Sequence, residues 1–227
     1  MALGEKTTTA DRLTASNVIY PSLIFWDWNG TLLDDVSASL AAVNDMLARR
    51  GRNAIDIERY RAAIGVPIRR FYDIHFDMTQ EDYTGILREY GEWYMHHLPK
   101  CGLADGAAEL LKHLRNSGVL QVILSSGEQS RVEASLKAYG VAQYFNAVLG
   151  ASDYLAGSKL DRAREYLQAL KISPDKVLIT GDLVHDFEVA FKLGTRCVLV
   201  DWGHQGTAQF SGLDVKVASK LKDIFVC

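Results

Sequence analysis

Five short apolar runs, spaced among amphipathic helical stretches, constrain this chain more than any other feature of its sequence. They are Ser22–Trp26, Val119–Leu124, Ala147–Leu149, Lys176–Thr180 and Arg196–Val200. Several are unbroken Val/Ile/Leu runs without polar alternation, the pattern of parallel strands buried on both faces. Ala107–Arg115 puts Leu110, Leu111 and Leu114 on one face before Asn116-Ser117-Gly118 ends it. Arg131–Tyr139 carries Val132, Leu136 and Tyr139, with Gly140 at the C-cap position. Asp161–Leu170 and Asp186–Leu193 repeat the form, Gly194 closing the second. Strand and helix in alternation predict an α/β fold with a Rossmann-like parallel sheet and right-handed crossovers.

One interval breaks this rhythm. From residue 35 to 98 the sequence offers only helical pattern, with stripes at Val36, Leu40, Val43, Leu47 and at Tyr83, Leu87, Tyr90, Tyr94. The expected organisation is a Rossmann-like core from 1–34 and 99–227 carrying an inserted all-helical domain over 35–98. A chain of 227 residues has room for both. Lys plus Arg total 25 against 28 for Asp plus Glu, which argues against nucleic acid as a partner. No apolar stretch approaches the ~20 residues that span a membrane. Residues 1–19 lack a basic start followed by an apolar run, so no secretory signal is expected. Cys101, Cys197 and Cys227 are odd in number and lack metal-type spacing, which fits a reduced cytoplasmic protein. The sequence leaves monomer and homodimer equally open.

Ligands of open α/β sheets bind beyond the carboxyl ends of the strands. After the first run comes Asp27-Trp28-Asn29-Gly30-Thr31, and after the second Ser125-Ser126-Gly127. Gly157-Ser158-Lys159 precedes the fourth run, and Gly181-Asp182-Leu183-Val184-His185-Asp186 follows it. Singly each has a plain structural explanation. Asn29-Gly30 suits a turn, Ser125 a helix N-cap, Lys159 a solvated surface, and Asp182 with Asp186 a helix start. Together they bring three carboxylates, a hydroxyl and an amine to one sheet edge. Clustered carboxylates repel unless a cation lies between them, and hard oxygen ligands favour Mg²⁺. A serine at a helix start and a lysine supply donors for phosphate oxygens, and the aspartate beside them is a candidate nucleophile.

Asp27-Trp28-Asn29-Gly30-Thr31, Ser125, Lys159 and Gly181-Asp182-x-x-x-Asp186 resemble, in order and spacing, the four motifs of the haloacid dehalogenase-like hydrolase superfamily. The resemblance runs from about Ser22 to Gly206, and the helical interval sits where that superfamily's type 1 cap lies. Ala147–Lys159 and Val177–Gly181 are similar to the phosphoglycolate phosphatase-like branch. The resemblance implies a Mg²⁺-dependent phosphatase of a small phosphorylated metabolite. Asp27 would attack phosphorus to form an aspartyl phosphate that water hydrolyses. Asp27, the Asn29 carbonyl, Asp182 and Asp186 would hold the ion. Ser125, Ser126, Gly127 and Lys159 would hold the phosphoryl group, Lys159 also neutralising charge beside Asp27.

The departure is Asn29, where the family's phosphatases usually carry a second aspartate that protonates the leaving group. Asn29 keeps a backbone carbonyl but has no proton to exchange, and positioned acid–base groups are worth about 10²–10⁴ in rate. This leaves a second reading, a catalytically weak protein that binds a phosphate ligand. His185 is a possible substitute for the missing acid, against the plainer role of a polar residue at a helix start. The interval over 35–98 contains no lysine, which disfavours Schiff-base chemistry of the phosphonoacetaldehyde hydrolase kind. Gly65-Val66-Pro67-Ile68-Arg69-Arg70 resembles the cap's specificity loop. Arg69 or Arg70 would then pair with a substrate carboxylate or second phosphate, the bland alternative being two solvated arginines. Tyr72, Trp93 and Tyr94 are expected in the core of the helical block.

Overall fold

The computed structural model describes residues 20–151 and 158–225. Cys227, Gly157 and residues 1–19, where no secretory signal is expected, lie outside the described residues.

A short strand, β1 (Leu23–Trp26), is buried along its whole length. It ends in a turn that leads to β2 (Leu33–Asp34). Four helices follow: α1 (Val36–Arg49), α2 (Ile57–Ala63), α3 (Arg69–His75) and α4 (Tyr83–His97). The chain returns through β3 (Gly102–Leu103), which pairs antiparallel with β2. Both connections to the helical block thus pass through one two-stranded ribbon.

The remaining chain alternates as the sequence predicts. It runs α5 (Ala107–Asn116), β4 (Leu120–Glu128), α6 (Gln129–Ala138) and β5 (Ala147–Ala151). It continues through α7 (Lys159–Leu170), β6 (Val177–Gly181), α8 (Val184–Leu193) and β7 (Arg196–Val200). A short α9 (Thr207–Phe210) and β8 (Lys216–Ala218) close it. The main sheet has the order β5-β4-β1-β6-β7-β8, and every pair in it is parallel.

Each face of the sheet has its own core. Ile24, Trp26, Ile123 and Val198 pack with Leu111 and Leu136 on one side. Leu23, Phe25, Val122 and Ile179 pack with Ala163, Leu167 and Val189 on the other. The alternation of Leu23/Phe25 against Ile24/Trp26 is the period-two geometry of a strand, here apolar on both faces. Trp26 keeps its indole N–H satisfied in the core by donating to Gln121 Oε1 at 3.2 Å. The helical block has a third, separate core built on Val43, Met46, Tyr60, Phe71, Tyr72 and Ile86.

Two local expectations are corrected. Ser125-Ser126-Gly127 does not cap a helix, because β4 runs on through Glu128, which pairs with Ala151 of β5 after a register shift. An eighth strand, too short and half-exposed to give an apolar run, pairs with β7.

Candidate active site

The central strands β1 and β6 end side by side, with Trp26 opposite Thr180. The residues that follow them therefore emerge together. The Asp27 N–H donates to the Thr180 carbonyl at 2.8 Å, which extends the ladder by one step and aims the side chain off the sheet edge. Asp182, one residue past β6, is buried and accepts from the His204 N–H at 2.6 Å and from Thr31 Oγ1 at 3.3 Å. Asp186 sits in the first turn of α8 and caps it, accepting from the Leu183 N–H at 3.1 Å. Its side chain is also buried.

Glycine makes this crowding possible. Gly30 has φ of 73°, in the left-handed region, and a Cβ there would run into the Asp182 carboxylate and the His204 ring. A Cβ on Gly203 would meet the same carboxylate from the other side.

Lys159, the first residue of α7, is buried rather than solvated. Its Nζ lies 2.6 Å from Asp27 Oδ1 and 2.5 Å from Asp186 Oδ1. A cation buried with two anions keeps its proton tightly: burial lowers the Lys159 affinity for it, but the two carboxylates more than reverse that. The acids are less well compensated. Burial pushes the Asp27 carboxyl up to about 8, against the lowering by Lys159, with Asp186 and Asp182 adding repulsion. Burial likewise raises Asp182 to about 6, despite the pull of His204. Two carboxylates thus share one ammonium and Asp182 adds a third beside them, with ligand oxygens within 4.8 Å of one another. Hard oxygens carrying excess negative charge fit a divalent cation, so the donor set passes the chemical test for a metal site.

Ser125 is buried within the C-terminal half of β4, and its Oγ accepts from the Gly127 N–H at 3.0 Å. Its hydroxyl proton is therefore free to point at a ligand. A cavity of about 120 Å³ is lined by Asp27, Asn29, Ser125, Ser126, Gly127 and Lys159, with Asp182, Leu183, His185, Asp186 and His204. Asp27, Asn29, Ser125, Ser126, Gly127, Lys159, Asp182 and Asp186, the motif residues to which the sequence assigned roles, all lie on it. Arg69 and Arg70 do not. Arg69 pairs with Asp73 at 3.5 Å along its own helix and stacks its guanidinium over Tyr83. His185 lines the cavity but is paired with Glu188 at 3.4 Å.

Sequence reading missed three residues at this site. Asp35, Tyr94 and His204 form a cluster behind Asn29. Asn29 Nδ2 donates to Asp35 Oδ2 at 2.7 Å and to the Tyr94 hydroxyl at 2.9 Å. Tyr94 in turn donates to Asp35 Oδ2 at 2.6 Å, and the Gly30 N–H to Asp35 Oδ1 at 2.7 Å. His204 Nε2 lies 3.3 Å from Asp35 Oδ1, and Nδ1 lies 2.9 Å from the Tyr60 hydroxyl. Burial alone would raise the Asp35 carboxyl, but the bonds from His204, Tyr94 and Asn29 hold it below its usual range. Burial would lower His204, and Asp35 overrides it, lifting the imidazole to about 9. The signal for His204 was within reach, since Trp202-Gly203-His204 follows the fifth apolar run as the other motifs follow theirs. Tyr94 gave none beyond its place in an apolar stripe.

The helical block is fastened over this edge. Arg61 donates to the Gly203 and Trp202 carbonyls at 3.2 and 3.1 Å, and Gln205 Nε2 to the Ile64 carbonyl at 2.7 Å.

Comparison with known proteins gives the family and the fold. The profile of the family described as haloacid dehalogenase-like hydrolase matches residues 24–200. Phosphoglycolate phosphatase 1 of Pseudomonas aeruginosa is 28% identical over 217 residues, covering 91% of this chain and 79% of that protein. Tyrosine-protein kinase PtkA of Mycobacterium tuberculosis is 27% identical over 195 residues, covering 84% of this chain and 65% of that protein. A haloacid dehalogenase-like family hydrolase from Streptococcus pneumoniae superposes with a TM-score of 0.76 at 22% identity, over 88% of this chain and 94% of its own. That last likeness speaks for the fold.

Proposed function

The chain belongs to the haloacid dehalogenase-like hydrolases, and on that premise we propose that it is a Mg²⁺-dependent phosphatase of a small phosphorylated metabolite, working through a phosphoryl group on Asp27. The observation that carries this reading is the convergence of Asp27, Asp182, Asp186 and Lys159 on one small cavity beside Ser125. The relatives with a named activity are named as enzymes, so a binding-only role draws no support from them.

Asp27, Asp182, Asp186 and the Asn29 carbonyl would hold the ion, whose contribution is to neutralise charge on the phosphoryl oxygens. Lys159 binds Asp27 Oδ1 and keeps that carboxylate in one orientation, leaving Oδ2 for phosphorus. Attack by Asp27 forms the P–O bond as the ester P–O bond breaks, and the leaving oxygen departs with its electron pair. Ser125 Oγ–H, the backbone around Ser126 and Gly127, and the Lys159 ammonium stand ready as donors to the phosphoryl oxygens. Phosphoryl transfer rests mainly on this kind of alignment and charge neutralisation. Water then cleaves the Asp27–phosphorus linkage and regenerates the carboxylate.

A cavity of about 120 Å³ is well below the 300–1,000 Å³ of sites that enclose drug-sized ligands. It suits a phosphoryl group with little attached. The helical block would act as a cap, its release from Trp202–Gln205 admitting the substrate and its return excluding bulk water.

The test is phosphate release from a panel of small phosphorylated metabolites, with Mg²⁺ and with chelator. Turnover that requires the ion and vanishes in Asp27→Asn is expected. Undiminished turnover by Asp27→Asn would overturn the reading. Because a similar protein is named a kinase, a hydroxyl acceptor should be included beside water. Phosphoryl transfer to it in preference to water would reassign the reaction from hydrolysis to transfer.

A further inference from the structure

Counting donors around Asn29 fixes which way its side chain faces. Asp35 takes the Gly30 N–H on Oδ1 and the Tyr94 hydroxyl on Oδ2, so both of its oxygens meet this cluster as acceptors. It must therefore face the nitrogen of the Asn29 amide, not the oxygen. Tyr94 commits its own proton to Asp35 Oδ2, so its lone pair is what receives the second Asn29 N–H. Both amide hydrogens are consumed on this side. Among the described residues no donor reaches Asn29 Oδ1, and Asn29 lines the cavity. The oxygen is the polar atom that the side chain has left to offer a ligand. His204 cannot offer a substitute proton from this position, since one ring nitrogen faces Asp35 and the other Tyr60.

We propose that Asp35 and Tyr94 are positioning residues that lock the Asn29 carboxamide with Oδ1 toward the phosphoryl group, where it orients the water that discharges phospho-Asp27. The inference rests on the phospho-aspartate reading above and deepens it. The water donates one hydrogen bond to Asn29 Oδ1 and aims its lone pair at phosphorus. The new P–O bond forms as the P–O bond to Asp27 breaks, its electron pair returning to the carboxylate. An amide oxygen is too weak a base to keep the proton, which passes to a phosphoryl oxygen. The site thus supplies alignment for the second half-reaction without supplying a base. Tyr94 comes from α4, so the alignment is complete only while the helical block is seated.

The test separates this role from a structural one. In a two-step reaction, slowing discharge lowers kcat and KM together and leaves kcat/KM unchanged, because kcat/KM reports steps up to phosphorylation. Tyr94→Phe is expected to lower kcat and KM in parallel by about tenfold, with more phosphoenzyme trapped at steady state. In an Asn29→Ala background the same substitution should change neither constant further, since it acts through Asn29. A fall in kcat/KM matching that in kcat, or an undiminished effect in Asn29→Ala, would overturn the proposal. If Tyr94→Phe does not fold, Asp35→Asn takes its place, since an amide there lets Asn29 turn over, and the same pattern is required of it. Absence of a phosphoenzyme in the unmodified protein would show first and would remove the parent reading along with this one.

Discussion

Asn29→Asp is the substitution that would restore the missing carboxylate, and the structure predicts that it destabilises the protein. The amide nitrogen it replaces lies 2.7 Å from Asp35 Oδ2, and Asp35 is buried. Two charged carboxylates about 3 Å apart repel by roughly 5 kcal/mol at an effective dielectric constant near 20. The pair escapes most of this by keeping one proton. At pH 7 that costs about 4 kcal/mol for a group that ordinarily ionises near 4, and at pH 5 only about 1.4 kcal/mol. The cheaper route sets the loss, and charged His204 beside Asp35 reduces it. The sign follows from proton counting: the folded variant holds a proton that the unfolded chain releases above pH 4. Its stability relative to the native sequence should fall by up to about 1.4 kcal/mol per pH unit between pH 5 and 7. Urea unfolding of both proteins at pH 5, 6 and 7, in chelator, measures the difference directly. Equal stabilities, or a deficit independent of pH, would refute the placement of Asn29 nitrogen against Asp35.

Lys159→Met should cost about 3–5 kcal/mol in chelator, because it strands Asp27 and Asp186 without their buried cation; denaturant unfolding reads this, and added Mg²⁺ should recover part of it. In the metal-free protein the raised Asp27 carboxyl means that the folded state holds a proton which the unfolded chain has lost. Stability should therefore decline from pH 5 toward pH 8, and saturating Mg²⁺ should flatten that decline; thermal melts across this range check it. Arg69→Ala should change KM for an anionic substrate less than about twofold, since Arg69 is occupied by Asp73 and Tyr83; a tenfold rise in KM would put it back at the substrate.

The parallel sheet was legible because strands such as Leu23–Trp26 and Val177–Gly181 are buried on both faces and so read as continuous apolar runs. Lys216–Ala218 escaped notice because only its last residue is buried, and a three-residue edge strand carries no periodicity. That Asp27, Ser125, Lys159 and Asp182 would come together in one candidate site was legible because each lies next to or near such a run, where side chains from separate strands must meet. Asp35 was read only as the boundary of the helical interval. Its pairing with Asn29 depends on the return of the turn through β2, and its pairing with Tyr94 on the seating of α4 over the sheet edge. Neither is a local property of the sequence. Arg69 shows the converse: two arginines at a helix start look like an anion reader, yet a neighbouring acid and ring already take one of them.

The central claim is that Asp27 carries the phosphoryl group. Acid quenching during turnover of a small phosphate ester, followed by mass spectrometry of the peptide containing Asp27, tests it directly. The account predicts a phosphoryl adduct on Asp27, absent without Mg²⁺ and absent in Asp27→Asn. Turnover that continues with no adduct on Asp27, or with the phosphoryl group on another residue, would contradict it.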